Sequence, residues 1–183
     1  MKKALFSVLF SSVVASAAYA APYTQIDSSK SRVEFGYRQM GVGMQGHFKR
    51  VQAQLQLDPA QLQSAKAQID IDLNSIDTGS AEANQEVAGK AWFDSKTYPT
   101  ARFISKEVKA VGPQQYQVSG TLTIKGRSQP IIAAATLTPQ GNQALIKGKF
   151  RFKRSDFAIG EGVWASFETV ANEIDVQFQF LAK

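Results

Sequence analysis

The amino-acid sequence predicts an all-β protein with one short helix, whose antiparallel strands, about eight in number, form a closed β-barrel. Two features support this prediction. Apolar and polar residues alternate along most of the chain, and a period of two places successive side chains on opposite faces of a strand. Short stretches rich in Gly, Pro, Asn, Asp and Ser separate the alternating runs, as expected for turns between antiparallel strands.

The run at residues 145–154 has the clearest alternation. Its apolar face carries Ile146, Phe150 and Phe152, and its opposite face is basic. Gly148 falls on the apolar face and leaves a gap, which either a neighbouring side chain or a ligand can fill. A row of cations can bind phosphates, but the simpler interpretation is a solvated strand face. The basic residues are Lys147, Lys149, Arg151 and Lys153.

Further alternating runs predict the other strands. In chain order they are residues 23–26, 32–38, 47–57, 67–73, 102–111, 116–125, 131–138 and 174–180. Residues 39–46 contain three glycines and two methionines, which predicts a pliable connection whose apolar side chains line an opening. An ordinary glycine-rich turn with methionine in the core is an equal alternative. Strands of this kind form a sandwich or a closed barrel, and closure is favoured because it removes exposed edges.

One helix is predicted at residues 80–89. Ser80 is a good N-cap, alanine and glutamate favour the helix, and Gly89 is a typical C-terminal stop. A shorter helical turn is predicted over residues 59–64, because Asp58 can act as its N-cap and a proline follows at the first helical position.

Residues 1–20 have the pattern of a cleavable export signal. Two lysines precede an apolar and small-residue run over residues 4–18, and Ala18-Tyr19-Ala20 supplies the small residues that a signal peptidase requires. The run is short for the ~20 residues that a membrane span needs, which disfavours a membrane anchor. The remaining residues, 21–183, fit one soluble domain of about 160 residues with its own core.

The composition argues against several classes of function. The chain has no cysteine, so neither disulfides nor thiolate metal sites stabilise it. Removing the export signal lowers the formal net charge from +6 to +4, a mild excess that does not predict nucleic-acid binding. His47 is the only histidine, and no nucleophile elbow or phosphate-cradling loop accompanies it. We therefore expect a protein without catalytic residues, cofactor or metal.

Three motifs resemble one protein family. They are residues 98–103 (YPTARF), 120–126 (GTLTIKG) and 154–160 (RSDFAIG), supported by residues 75–79 and 92–94. In this order, over essentially the whole predicted domain, they resemble the YceI family of exported bacterial polyisoprenoid-binding proteins. The resemblance implies an elongated, lipocalin-like barrel in the periplasm with an isoprenoid chain threaded through its interior. Many members carry Lys-His where this chain has Arg38-Gln39, so no histidine-dependent role is carried over.

The candidate lipid-binding side chains are mostly aromatic. From the pattern alone they form either a filled core or a cavity wall, and the resemblance favours the cavity wall. They are Phe35, Tyr37, Met44, Phe48, Trp92, Phe93, Phe103, Leu122, Phe150, Phe152, Phe157, Trp164, Phe167 and Phe178.

The leading hypothesis is a binding or carrier protein for an isoprenoid lipid, either a polyprenyl chain or an isoprenoid quinone. The alternative is a periplasmic membrane-surface or stress-related interaction module with a packed barrel and no ligand; an enzyme ranks third. We expect no nucleic-acid partner, a monomer or homodimer, and an inner-membrane protein as a candidate partner. Cations near the predicted strand ends are scattered, which favours a neutral head group. They are Arg38, Lys49, Arg50, Lys125 and Arg127.

Overall fold

The computed structural model describes residues 22–183, so the predicted export signal at residues 1–20 lies outside the described residues. This part of the chain contains one α-helix and ten strands, two more than the eight or so expected. The strands are β1 (Arg32–Gln39), β2 (Val42–Phe48), β3 (Val51–Gln56), β4 (Lys66–Asp72), β5 (Ile76–Asp77), β6 (Thr100–Gly112), β7 (Gln115–Ile124), β8 (Arg127–Gln140), β9 (Gln143–Lys153) and β10 (Glu173–Ala182), and the helix is α1 (Ala81–Ala88).

All ten strands belong to one antiparallel sheet in the order β3-β4-β6-β7-β8-β9-β10-β1-β2-β5. From β6 to β10 each strand pairs with the next one along the chain. The last strand then pairs with the first, with Arg32 opposite Gln179. The sheet therefore curls into a half-barrel, which confirms the predicted all-β, antiparallel, lipocalin-like architecture.

The two edges of the half-barrel meet without a regular strand ladder. β2 ends at Phe48 and β3 begins at Val51, and across this break the chain changes its partner from β1 to β4. Within the break, the amides of Lys49 and Arg50 donate to the carbonyl and the hydroxyl of Ser75, each over 3.0 Å. These hydrogen bonds tie the edges together where no ladder does.

The segment before β1 joins the end of edge strand β3 to the end of β10 at the other end of the sheet. It was expected to be a strand at residues 23–26, but it makes only single bridges. Tyr23 exchanges two backbone hydrogen bonds of 2.9 Å with Leu57, and Ile26 bridges to Ala182. The segment thus lies between the end of β3 and the end of β10.

The prediction of a pliable connection over residues 39–46 was wrong, and the turn that was its alternative is confined to two residues. Met40 and Gly41 form a tight turn with φ of 49° and 80°, and β2 follows at once. Glycines at Gly43 and Gly46 remove the side chains whose alternation would have marked this strand. The backbone of β2 nevertheless pairs with β1 from Val33 to Gln39.

The predicted helix is confirmed as α1. The Ser80 hydroxyl accepts a hydrogen bond of 3.3 Å from the Ala83 amide, which satisfies one of the free donors at the helix start. The helical turn predicted at residues 59–64 is shorter than expected: a 3₁₀ turn covers only Leu62–Ser64. Asp58 still accepts a hydrogen bond of 2.8 Å from the Ala60 amide.

Candidate functional site

The interior of the half-barrel holds two apolar cavities of about 140 and 420 Å³. We call the smaller one the distal chamber and the larger one the helix-side chamber, because α1 lines only the larger. Six residues line both chambers, so the chambers adjoin each other, and we call the apolar interior that they form together the channel. These shared residues are Val33, Ile71, Ala101, Leu122, Phe150 and Val176.

The helix-side chamber reaches the surface beside α1. Glu82 and Glu86 of α1 line it and are exposed, and Gln39 and Trp164 line it from the end of β1 and from a loop. The distal chamber lies near the opposite ends of the strands, where Leu57 of the post-β3 segment contributes to its wall. The channel therefore runs along the strands and has its polar side chains mainly at the helix end.

Most of the predicted lipid-binding residues line this channel. Phe35, Tyr37, Phe48, Trp92, Phe93, Phe152 and Trp164 line the helix-side chamber; Phe103 and Phe178 line the distal chamber; Leu122 and Phe150 line both. The structure therefore places these residues in the channel wall. That they contact a lipid remains a prediction.

Three predicted residues do not line the channel. Phe157 is fully buried and packs edge-on against Phe152, with ring centroids 5.3 Å apart. Phe167 is exposed on the surface, and Met44 is half-buried on β2 opposite Tyr37. Phe157 belongs to the packed layer behind the wall, and its aromatic character alone gave no sign of this difference.

The gap predicted at Gly148 is filled by a neighbouring side chain. An added Cβ at Gly148 would clash with the ring of Phe178, its partner on β10. Two further glycines have the same relation to a phenylalanine, namely Gly46 with Phe35 and Gly120 with Phe103. In each pair the ring lies over the bare backbone of the sheet, which leaves the centre of the channel open.

The sequence reasoning missed the aliphatic part of the wall, which alternation along β4, β8 and β10 does mark. Ile71, Ala133, Leu137 and Val176 all line the channel from inward positions of these strands. It also missed the contribution of α1, where Val87 faces the helix-side chamber. Nothing in the local sequence of α1 shows that the helix lies over an opening.

Arg154 is a buried cation in the wall of the helix-side chamber. It has no carboxylate partner among residues 22–183, and burial lowers the pKa of its guanidinium. Its nitrogens donate instead to backbone carbonyls of the loop that follows β9, at distances of 2.7 to 3.4 Å. The acceptors are Ile159, Gly160, Trp164, Ser166, Val170 and Ala171.

This arrangement explains the RSDFAIG motif in physical terms. Gly160 has φ of 77°, and a Cβ there would clash with the Arg154 guanidinium. The guanidinium also lies 5.7 Å from the ring centroid of Trp92 and 5.2 Å from that of Phe167. Arg154 thus fixes the loop that carries Trp164 to the mouth of the channel.

Polar groups are sparse at the mouth. Glu86 accepts a hydrogen bond of 2.7 Å from the Trp164 indole nitrogen, which links α1 to the loop after β9. The indole nitrogen of Trp92 is buried and has no hydrogen-bond partner in the described part of the chain. Burial raises the pKa of Tyr37, whose ring lines the same chamber, so its hydroxyl remains a neutral donor at neutral pH.

The cations considered for a head group do not line either chamber. Lys49 pairs with Asp77 and Arg50 with Asp72, each over 2.7 Å. Lys125 donates to Glu161 over 2.9 Å, Arg38 donates to the Gly41 carbonyl over 3.2 Å, and Arg127 is exposed. The channel mouth is therefore not a cluster of free cations.

No catalytic arrangement is visible at the channel. His47 is exposed and lies opposite Asp77 in the register of β2 and β5. Within residues 22–183 no group of three His, Asp or Glu side chains could hold a metal ion. None of the helices described is both long enough and apolar enough to cross a membrane.

An antiparallel sheet curled around an apolar channel, with a helix at its mouth, defines a lipocalin-like fold of the kind that encloses small apolar ligands. The family model of the YceI-like domain matches residues 24–182, and the chain belongs to this family. The resemblance drawn from the three motifs is thereby confirmed.

Known relatives cover nearly the whole described chain. A UPF0312 protein of Vibrio cholerae is 30% identical over 170 residues, which cover 87% of this chain and 89% of the relative. The crystal structure of BcnA from Burkholderia cenocepacia is similar with a TM-score of 0.84 and 38% identity, covering 87% of this chain and 100% of BcnA. A polyisoprenoid binding domain from Saccharophagus degradans, implicated in plant cell wall breakdown, shares the fold with a TM-score of 0.71 and 19% identity, covering 89% and 99%.

Proposed function

We propose that this protein is an exported, non-enzymatic carrier that holds the chain of an isoprenoid lipid in its channel. The observation that carries the proposal is the pair of adjoining apolar chambers inside the sheet, which share wall residues such as Leu122 and Phe150. A fully packed barrel would not leave apolar cavities of about 140 and 420 Å³. The polyisoprenoid binding domain named among the structural neighbours has the same fold and supports the same assignment.

Simple energetics fit a ligand that is long and apolar. Burying a CH₂ group is worth about 0.8 kcal/mol, so a buried isoprene unit contributes ~3 kcal/mol before ordering costs. Roughly two or three buried units then suffice for micromolar affinity once the cost of association is subtracted. The wall supplies matching apolar surface along the whole channel.

The mouth favours an uncharged head group. The nearby carboxylates of Glu82 and Glu86 repel an anion, and the guanidinium of Arg154 is already occupied by backbone carbonyls. A quinone or an alcohol needs only neutral hydrogen-bonding groups, such as the Tyr37 hydroxyl. We therefore favour an isoprenoid quinone or prenol over a polyprenyl phosphate, and a periplasmic site of action in keeping with the predicted export signal.

The direct test is organic extraction and mass spectrometry of the protein purified from its native compartment. A co-purifying lipid with a five-carbon repeat supports the proposal, and an empty channel in the purified protein counts against it. Binding of added geranylgeraniol is then followed by tryptophan fluorescence. Both tryptophans of the chain, Trp92 and Trp164, line the helix-side chamber and report on its occupation.

A pair of substitutions on β9 tests the assignment of faces. We expect Phe152→Ala to weaken geranylgeraniol binding by about tenfold or more, because it removes a ring from the chamber wall. Lys149→Glu is the matched control, since Lys149 lies three residues away on the exposed face of the same strand. If Lys149→Glu impairs binding and Phe152→Ala does not, the lipid is not bound inside the channel. Circular dichroism verifies that both variants are folded.

A further inference from the structure

Two turns form a continuous rim at the mouth of the helix-side chamber. One is the β1–β2 turn, and the other is the loop at residues 158–171. Gln39 bridges to Val170, and the Met40 amide donates to the Thr169 carbonyl over 2.9 Å. Gln39 and Val170 also line the helix-side chamber. The rim therefore borders the opening of the channel.

Four large apolar side chains on this rim are exposed to solvent. Met40 is 77% exposed, Val42 61%, Val163 88% and Phe167 52%. Val42 pairs with Gln39, so its side chain lies on the channel face of the sheet. Val163 directly precedes Trp164, which lines the chamber. Apolar side chains grouped around an opening at this level of exposure indicate an interaction surface.

We infer that this rim inserts into the interface of a lipid bilayer, so that an isoprenoid passes between the membrane and the channel without crossing water. The inference rests on the proposed function, because it concerns how the ligand reaches the channel. The apolar side chains belong to two separate turns and project beside the opening. A bilayer can accept such separate projections and is itself the solvent in which an isoprenoid lipid dissolves.

The charges around the rim are of both signs and do not drive the contact. Arg38 is exposed at the base of the β1–β2 turn and has no carboxylate partner among residues 22–183. It is therefore available to a lipid phosphate. Glu168 on the neighbouring loop and Glu82 and Glu86 of α1 carry the opposite charge and are also exposed. The apolar side chains, rather than net charge, must then provide most of the free energy of binding to the bilayer.

The test measures co-sedimentation of the full mature chain with phosphatidylcholine–phosphatidylglycerol vesicles. The rim variant is Met40→Ser with Val163→Ser, and neither residue lines the channel. The matched control is Val111→Ser with Ile132→Ser, which are 61% and 62% exposed on the sheet and away from the rim. We expect the rim variant to lose at least about tenfold in vesicle partitioning and the control to bind as the wild type does.

A second measurement separates this inference from the proposed function. Binding of solubilised geranylgeraniol, followed by tryptophan fluorescence without vesicles, should be equal for the wild type and the rim variant. If the wild type binds geranylgeraniol but does not sediment with vesicles, or if rim and control variants sediment equally, the rim does not dock on membranes. If the wild type fails to bind geranylgeraniol, the proposed function itself is wrong, whatever the vesicles show.

Discussion

At the scale of single residues, the width of the channel depends on positions that lack a side chain. The Phe178 ring occupies the space in which a Cβ of Gly148 would lie, and the carbonyl of Ala134 is also close to that point. The ring can therefore lie flat over the sheet instead of pointing into the distal chamber. In this way Gly148, which contributes no side-chain atoms to the wall, determines how much of the channel is open.

Substitution of Gly148 tests this relation. We expect Gly148→Ala to lower the free energy of unfolding by about 1–3 kcal/mol, because the added methyl group forces the Phe178 ring to move. The displaced ring should narrow the distal chamber and weaken the binding of long prenols more than that of short ones. Urea denaturation and tryptophan-fluorescence titration measure the two effects.

Gly36→Ala provides the control. A Cβ at Gly36 would meet only the Met44 carbonyl at 3.8 Å and the Asp175 Cβ at 4.0 Å, which are ordinary contacts. Replacing a strand glycine without a clash should stabilise the protein by roughly 0.5–1 kcal/mol. Equal destabilisation by the two substitutions would contradict the role assigned to the Phe178 ring.

At the scale of elements, the alternation of residues predicted which face of each strand is buried, but only where side chains carry the pattern. β9 is the clearest case, since Phe150 and Phe152 line the channel and Lys149 is exposed as expected. β2 was missed because its glycines break the alternation. The position of α1 over the mouth follows from tertiary contacts such as the bond between Glu86 and Trp164, which no local pattern encodes.

Ion pairs on the outer faces of neighbouring strands make the stability of the sheet depend on pH. Arg151 of β9 and Asp175 of β10 are register partners, and two hydrogen bonds of 2.7 and 3.0 Å join them. These hydrogen bonds lower the pKa of Asp175 below its usual value. A carboxyl whose folded-state pKa is lowered stabilises the fold above its unfolded pKa, and this contribution disappears as the pH falls through the folded pKa.

We therefore expect Asp175→Asn to be slightly less stable than the wild type at pH 7 and equally stable at an acid pH below the lowered pKa of Asp175. Chemical denaturation at both pH values measures the difference. In an Arg151→Gln background the same substitution should have little effect at either pH, because the partner is already absent. A difference between wild type and Asp175→Asn that persists in acid would show that Asp175 acts through something other than its charge.

At the scale of the whole molecule, the sequence predicted a barrel but could not predict how its edges meet. The contacts that join them use backbone groups, such as the amide of Lys49 and the carbonyl of Ser75, and backbone groups leave no trace in the residue pattern. Nor could the pattern distinguish a filled core from a channel, because both require apolar inward faces. That distinction depends on the volumes left between side chains, and the shared residue Ala101 lies where the two chambers join.

The junction at Ala101 allows the length of the channel to be tested. In the wild type we expect affinity to rise with the number of isoprene units and then to level off, because a strand of 13 residues such as β6 spans only about 43 Å and longer chains must protrude. Ala101→Leu adds bulk at the junction of the chambers. A short prenol that fits in the helix-side chamber, such as geraniol, should bind the variant nearly as well as the wild type. A long prenol such as solanesol should lose the affinity contributed by the distal chamber, so the plateau should come at a shorter chain. Ala134→Leu, which adds the same atoms on the exposed face of β8, is the control and should leave the whole series unchanged. Affinities that are independent of prenol length in the wild type would mean that the head group alone is recognised. An unchanged plateau in Ala101→Leu would mean that the lipid chain never passes from one chamber to the other.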